Sequence, residues 1–169
     1  TNPDVTKTGD YIFRACYTDI FQGQVPARFA QEKMRAKTAA ILFDVSQDYS
    51  KGLAKYFNEE FSKTGKIVKE VSYSSETDKD FRAQLTQIKA ANPDVIFIPG
   101  YYTEVGNIAV QARSLGINKP LLGGDGWESP KLVEIGKEAI EGQYYTTHYS
   151  PEDKNPRVQK FVTDFKKKY

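Results

Sequence analysis

The 169-residue sequence has one cysteine, Cys16, and one histidine, His148. A lone cysteine excludes an internal disulfide and a cysteine-rich metal site, and a lone histidine excludes a multi-histidine metal centre. Cys16 sits in Ile12-Phe13-Arg14-Ala15-Cys16 without an evident activating partner, so it reads as a small buried hydrophobe rather than a nucleophile. His148 likewise reads as structural, at a strand end. No apolar run approaches the roughly 18 residues that a membrane span requires, and no signal peptide is present. Lys+Arg number 24 and Asp+Glu 22, with the cations spread along the chain until Lys166-Lys167-Lys168, so nucleic acid is not an expected partner. A GxSxG elbow and a glycine-rich phosphate loop are both missing. No enzyme chemistry, cofactor or metal is therefore expected. The chain begins at Thr1 without a methionine and ends inside an amphipathic helix, the pattern expected of a mature protein or an excised piece.

What is present is organised around Pro93 to Asn107, PDVIFIPGYYTEVGN. Val95-Ile96-Phe97-Ile98 is a short, fully apolar β-prone run that Pro99-Gly100 breaks, and Thr103 is placed to cap a helix that Gly116 ends. Tyr101 and Tyr102 then lie outside the carboxyl end of a strand, where open α/β sheets bind ligands, although rim packing competes with that role.

The remaining periodicities predict a strand over 11–16, a helix over 22–35 with Pro26 in its first turn, and a strand over 38–43. A helix over about 49–63 ends at Gly65, and a strand over 66–73 precedes a helix capped by Asp78. After the central element come a strand at 120–123, a helix opened by Ser129-Pro130, a strand over 143–149, and a helix capped by Asn155-Pro156. At this length one domain is the default. Successive β-α units predict a doubly wound, mostly parallel α/β sheet with helices on both faces, flavodoxin- or Rossmann-like.

In such a sheet the strand-to-helix loops converge. They carry Tyr49, Tyr101, Tyr102 and Trp127 with Asp44, Asp48, Asp125 and Glu128. The loop after the 38–43 strand, DVSQDYS, has neither glycine nor lysine, which argues against a phosphate ligand; carboxylates beside tyrosine faces favour an ammonium group. Asp125 and Glu128 could form an acid–base pair, but acids this close in a loop are more often solvated or capping.

FDVSQDYSKGL (43–53), KDFRAQLTQIKAANPDVIFIPGYYTEVG (79–106), QARSLGI (111–117) and GGDGWESPKL (123–132), in this order and spacing, resemble the branched-chain amino-acid family of type I periplasmic substrate-binding proteins. The resemblance implies that the chain is the second ligand-binding lobe over 20–149, with a first-lobe stub and hinge crossing over 1–19 and a second crossing with a first-lobe helix over 150–169. It implies that Tyr49, Tyr101 and Asp125 contact the ligand's ammonium end, Asp125 standing where leucine-binding members have a glutamate. Gly126 and Trp127 share that loop, and Trp127 would wall the ligand's side-chain pocket. Thr1, in Thr1-Asn2-Pro3, would belong to the ligand-carboxylate site, and Asp19 with Gln22-Gly23 to the first hinge crossing. The implied partners are an amino acid and an ABC permease, with self-association through the exposed first-lobe stubs. The implied location is periplasmic or extracellular, with a lipid anchor in a Gram-positive source. A ligand-sensing receptor ectodomain of the same fold and a small flavodoxin-like enzyme are the competing readings.

Overall fold

The computed structural model describes all 169 residues. Five strands, β1 (Thr38–Asp44), β2 (Lys66–Tyr73), β3 (Val95–Phe97), β4 (Leu121–Gly123) and β5 (Tyr144–Tyr145), form one parallel sheet in the order β2-β1-β3-β4-β5. The helices are α1 (Asp19–Glu32), α2 (Asp48–Phe61), α3 (Arg82–Ala91), α4 (Tyr102–Ser114), α5 (Pro130–Gly136) and α6 (Pro156–Lys168). The chain winds from β1 outward to β2, then returns past β1 to β3, β4 and β5, which makes the sheet doubly wound as expected.

Strand alternation divides the apolar residues between two cores. Ala40, Leu42, Ile96 and Ile98 join Leu85 and Ile88 of α3 and Val105 and Ile108 of α4 on one face. Ala39, Ile41, Val95 and Phe97 join Ala27 and Ala30 of α1 with Leu53, Phe57 and Phe61 of α2 on the other. Phe57 stacks on Phe97 at 4.2 Å and on Phe61 at 5.4 Å, and all three are fully buried. Such burial stabilises by about 1.5–3 kcal/mol per side chain. The α1–α2 contact depends on small residues. A Cβ on Gly23 would lie 2.7 Å from Cβ of Tyr56 and 2.9 Å from the backbone nitrogen of Phe57.

Several boundaries differ from the sequence expectation. Residues 11–16 make no strand, and Tyr11 and Phe13 are 90% and 84% exposed, so this apolar run has no sheet edge to join. Helix α1 begins at Asp19 instead of 22, which puts Pro26 inside the helix and not in its first turn. Thr103 is not the cap of α4; Tyr101 takes that position in extended backbone. Asp78 does not cap α3, which starts after Phe81; its carboxylate accepts from the Ser74 amide and closes the preceding loop. β5 spans two residues instead of seven, because only Leu122 and Gly123 of β4 offer it a ladder. Helix α6 is capped by Asn155 as expected, but Phe161 and Phe165 of its apolar stripe are each 53% exposed.

Gly23→Ala should destabilise the chain by about 1–3 kcal/mol, because the nearest atoms are backbone and Cβ and cannot rotate away. Urea unfolding should show a lower midpoint with an unchanged slope. An unaltered midpoint would mean that α1 and α2 separate without cost.

Candidate functional site

Because all five strands are parallel, the loops leaving their carboxyl ends lie along one edge, and so do the first turns of the helices that follow. Tyr49 stands in the first turn of α2, Tyr101 immediately before α4, and Asp125 opens a 3-10 turn, Asp125–Trp127, after β4. The structure brings these three together. The Tyr49 hydroxyl donates to Asp125 Oδ1 at 2.9 Å, and the Tyr49 and Tyr101 rings stack at 5.3 Å. The Gly126 amide donates to the Tyr49 oxygen at 3.1 Å, so the phenolic proton is directed at Asp125. Gly126 must lack a side chain here, since a Cβ would fall 2.7 Å from the Gly100 carbonyl oxygen.

A fourth group, which the resemblance assigns only to a hinge crossing, joins them. Gln22, in the first turn of α1, donates from Nε2 to Asp125 Oδ1 at 2.6 Å and to the Tyr49 oxygen at 3.4 Å. The one available signal was its i, i+3 spacing from Asp19, which places two polar residues on one side of a helix start. Asp125 Oδ1 thus has two donors while Oδ2 has no partner within the chain, and Asp125 is only partly buried. Beside it the Tyr101 ring is 44% exposed. A half-fixed carboxylate flanked by an open aromatic face is suited to a cation.

The other expected residues separate. Tyr102 packs against the α3–α4 core while Tyr101 faces outward. Trp127 does not wall an open pocket: its ring is 1% exposed, lies over Gly123, and donates from Nε1 to the Ile98 carbonyl at 3.0 Å. The ring is thus part of the core beneath the loop and not of its open face. Glu128 is exposed and accepts from the Thr147 hydroxyl, so it is not paired with Asp125. Asp48 is exposed and paired with Lys51. Asp44 is buried, and although burial pushes its carboxyl up, hydrogen bonds from Ser46 and Ser75 outweigh that and hold it below the usual range. It ties the β1–α2 and β2–α3 loops together. Asp19 is 1% exposed; its amide donates to the Thr1 carbonyl at 3.0 Å, and burial pushes its carboxyl up. Thr1 and Asp19 are therefore adjacent at the same end of the sheet. His148 lies beyond β5, stacked on Tyr17 at 4.2 Å.

A cavity of about 290 Å³ runs between α1 and β4–β5, lined chiefly by Phe21, Val25, Phe29, Tyr144 and Tyr145. Gln22 borders both this apolar space and the Asp125 site.

A doubly wound lobe with an acidic, aromatic site at its strand ends and no phosphate cradle defines the class of α/β ligand-binding lobes. The sequence matches the profile described as periplasmic binding protein over residues 1–169, and the chain belongs to that family. The Leu/Ile/Val-binding protein homolog 3 of Brucella melitensis is 33% identical, over 99% of this chain and 45% of its own length. A leucine binding protein, LivK, from Thermotoga maritima superposes with a TM-score of 0.92 and is 46% identical, over 100% of this chain and 48% of its own. The branched-chain amino acid transporter substrate binding protein LivJ from Streptococcus pneumoniae, solved with isoleucine, gives a TM-score of 0.89 at 35% identity, again over 100% and 48%. The chain spans about half the length of these relatives.

Burial, and after it the charge of Asp125, raises Tyr49 far above its ordinary 10.0; burial raises Tyr73 similarly and Tyr17 to about 12. The folded chain holds these phenolic protons more tightly than the unfolded chain does. Their stabilisation is complete below pH 10.0 and is lost as pH rises above it. Urea midpoints should fall steeply above that pH, and the Tyr49→Phe, Tyr73→Phe double variant should flatten the fall. An identical alkaline slope in the variant would refute this account.

Proposed function

We propose that the chain is the second lobe of an extracytoplasmic substrate-binding protein that takes an amino acid, branched-chain or similar, into an interlobe cleft for delivery to an ABC permease. The observation that carries the reading is the Asp125 carboxylate, with Oδ1 held by Tyr49 and Gln22 and Oδ2 left for an ammonium beside the Tyr101 ring. Isoleucine in the LivJ structure and the Leu/Ile/Val-binding name of the Brucella relative support the ligand class.

In this reading residues 1–19 and 150–169 belong to the hinge crossings and the first lobe, and residues 20–149 form the second lobe. The solvent-facing aromatic stripe of α6, with Tyr11 and Phe13, supports the division, because such a surface is stabilised only when covered. The first lobe covers it in the whole protein, and a second copy covers it in the isolated chain. Thr1 contributes to the ligand-carboxylate site, with Asp19 behind it. Binding and release, without covalent chemistry, is the whole activity. The protein works in the periplasm, or outside the membrane on a lipid anchor in a Gram-positive source.

In the full-length protein Asp125→Asn should weaken leucine or isoleucine binding by about 1.5–3 kcal/mol, the usual contribution of a charge-assisted bond in a closed site. Glu128→Gln should cost well under about 1 kcal/mol, since that carboxylate is exposed. Equal losses by calorimetry would remove Asp125 from the site. The 169-residue chain alone should bind these amino acids at millimolar strength or weaker, because one lobe leaves much of the ligand in water. Micromolar saturation in an NMR titration of the isolated chain would overturn the two-lobe reading.

A further inference from the structure

Gln22 is fully buried, yet its position is not explained by packing alone. A carboxylate can only accept, so the amide must turn Nε2 toward Asp125 and Oε1 away from it. Oε1 is buried and has no partner within the chain, and the Tyr17 and Thr146 hydroxyls line the same cavity as Gln22. Packing alone would be served by an apolar side chain of the same length. What the amide adds is the 2.6 Å bond to Asp125, which joins residues 103 positions apart in the chain.

We propose that Gln22 is a positioning residue for the ammonium site. It acts through Asp125, not through the ligand, and this inference rests on the reading of Asp125 given above. The aspartate stands at the start of a 3-10 turn and is partly exposed. With both oxygens free its carboxylate would rotate, and binding would have to stop that rotation. The Tyr49 hydroxyl and the Gln22 amide converge on the same oxygen from two different helices, α2 and α1. Two donors on Oδ1 fix the carboxylate plane before ligand arrives and leave the lone pairs of Oδ2 as the acceptors turned to the cleft. The Tyr49 bond alone leaves rotation about that single contact. Gln22 removes it.

The test is a double-mutant cycle on the full-length protein, with isoleucine affinity measured by calorimetry. Gln22→Met keeps the length and fill of the side chain and loses the donor; Asp125→Asn loses the charge. Gln22→Met alone should weaken binding about 10- to 100-fold, the loss typical when a group that orients a ligating side chain is removed. In the Asp125→Asn background the same change should add less than about 3-fold, because the group it positions is no longer a carboxylate. A purely structural role at the start of α1 would instead add in full in both backgrounds. Full additivity, or no loss in Gln22→Met, overturns the positioning role while leaving the ammonium reading intact. If Asp125→Asn itself leaves affinity unchanged, the ammonium reading fails and this inference fails with it. Should Gln22→Met unfold the protein, Gln22→Leu carries the same cycle, and the unfolding midpoint of each variant identifies a folding failure before affinities are compared.

Discussion

Five strands running in one direction impose the constraint from which the rest follows. A parallel sheet must return the chain through helices, so every carboxyl end faces one edge and every following helix starts there with unpaired amides and polar first-turn residues. Tyr49, Tyr101, Asp125 and Gln22 are scattered over about a hundred positions of sequence, yet each is a strand-end or helix-start residue. Their meeting is a consequence of strand direction. An antiparallel arrangement of the same segments would send half of them to the opposite edge.

Convergence alone would crowd Asp19, Asp44, Asp48 and Asp125 at that edge, and the fold manages the charge residue by residue. Asp44 is neutralised in effect by donors from Ser46 and Ser75, and Asp48 by Lys51 in the open. Asp19 is buried against Thr1 with its carboxyl pushed up. Asp125 differs from these in being partly buried, with Oδ1 held by donors from two helices and Oδ2 free of partners. The tyrosines around it respond to the same charge: Asp125 contributes to the upward shifts of Tyr17, Tyr49 and Tyr101, secondary in each case to burial. A site in which neutral hydroxyls surround one free carboxylate keeps its negative potential for an incoming cation.

The strands and helices of the sheet region were legible because their signals are local, such as the VIFI run that Pro99-Gly100 breaks and the Ser129-Pro130 helix start. Tyr49, Tyr101 and Asp125 were legible because topology needs only strand direction to group them. What escaped depended on distance or on missing neighbours. Trp127 looks like an exposed aromatic in a glycine-rich loop, and only the bare Gly123 beneath it, together with the Ile98 carbonyl 29 positions away, shows why the ring folds under. The run at 11–16 has β-prone residues but no partner strand. The 143–149 segment has them too, and β4 is too short to pair with more than two. Gln22 carries no pattern of its own; its partner lies 103 residues on.

The two segments that flank the central lobe are not independent. Tyr17, two residues before α1, and His148, three after β5, stack at 4.2 Å with 16° between ring planes, so the chain entering the lobe and the chain leaving it run side by side. In the two-lobe reading these are the crossings about which closure occurs, and a stacked pair permits bending of both together more readily than independent twisting. Tyr17 and Gln22 are separated by little more than one helical turn and line the same cavity. The sheet behind them has fully buried, close-packed residues in β1 and β3. The first turn of α1 lies between the crossing and the ligand site, following Tyr17 in the chain and reaching Asp125 through the Gln22 bond. Gln22 therefore borders both the Asp125 carboxylate and the cavity that Tyr17 lines, so in the two-lobe reading the ligand site and the crossing are neighbours through one side chain.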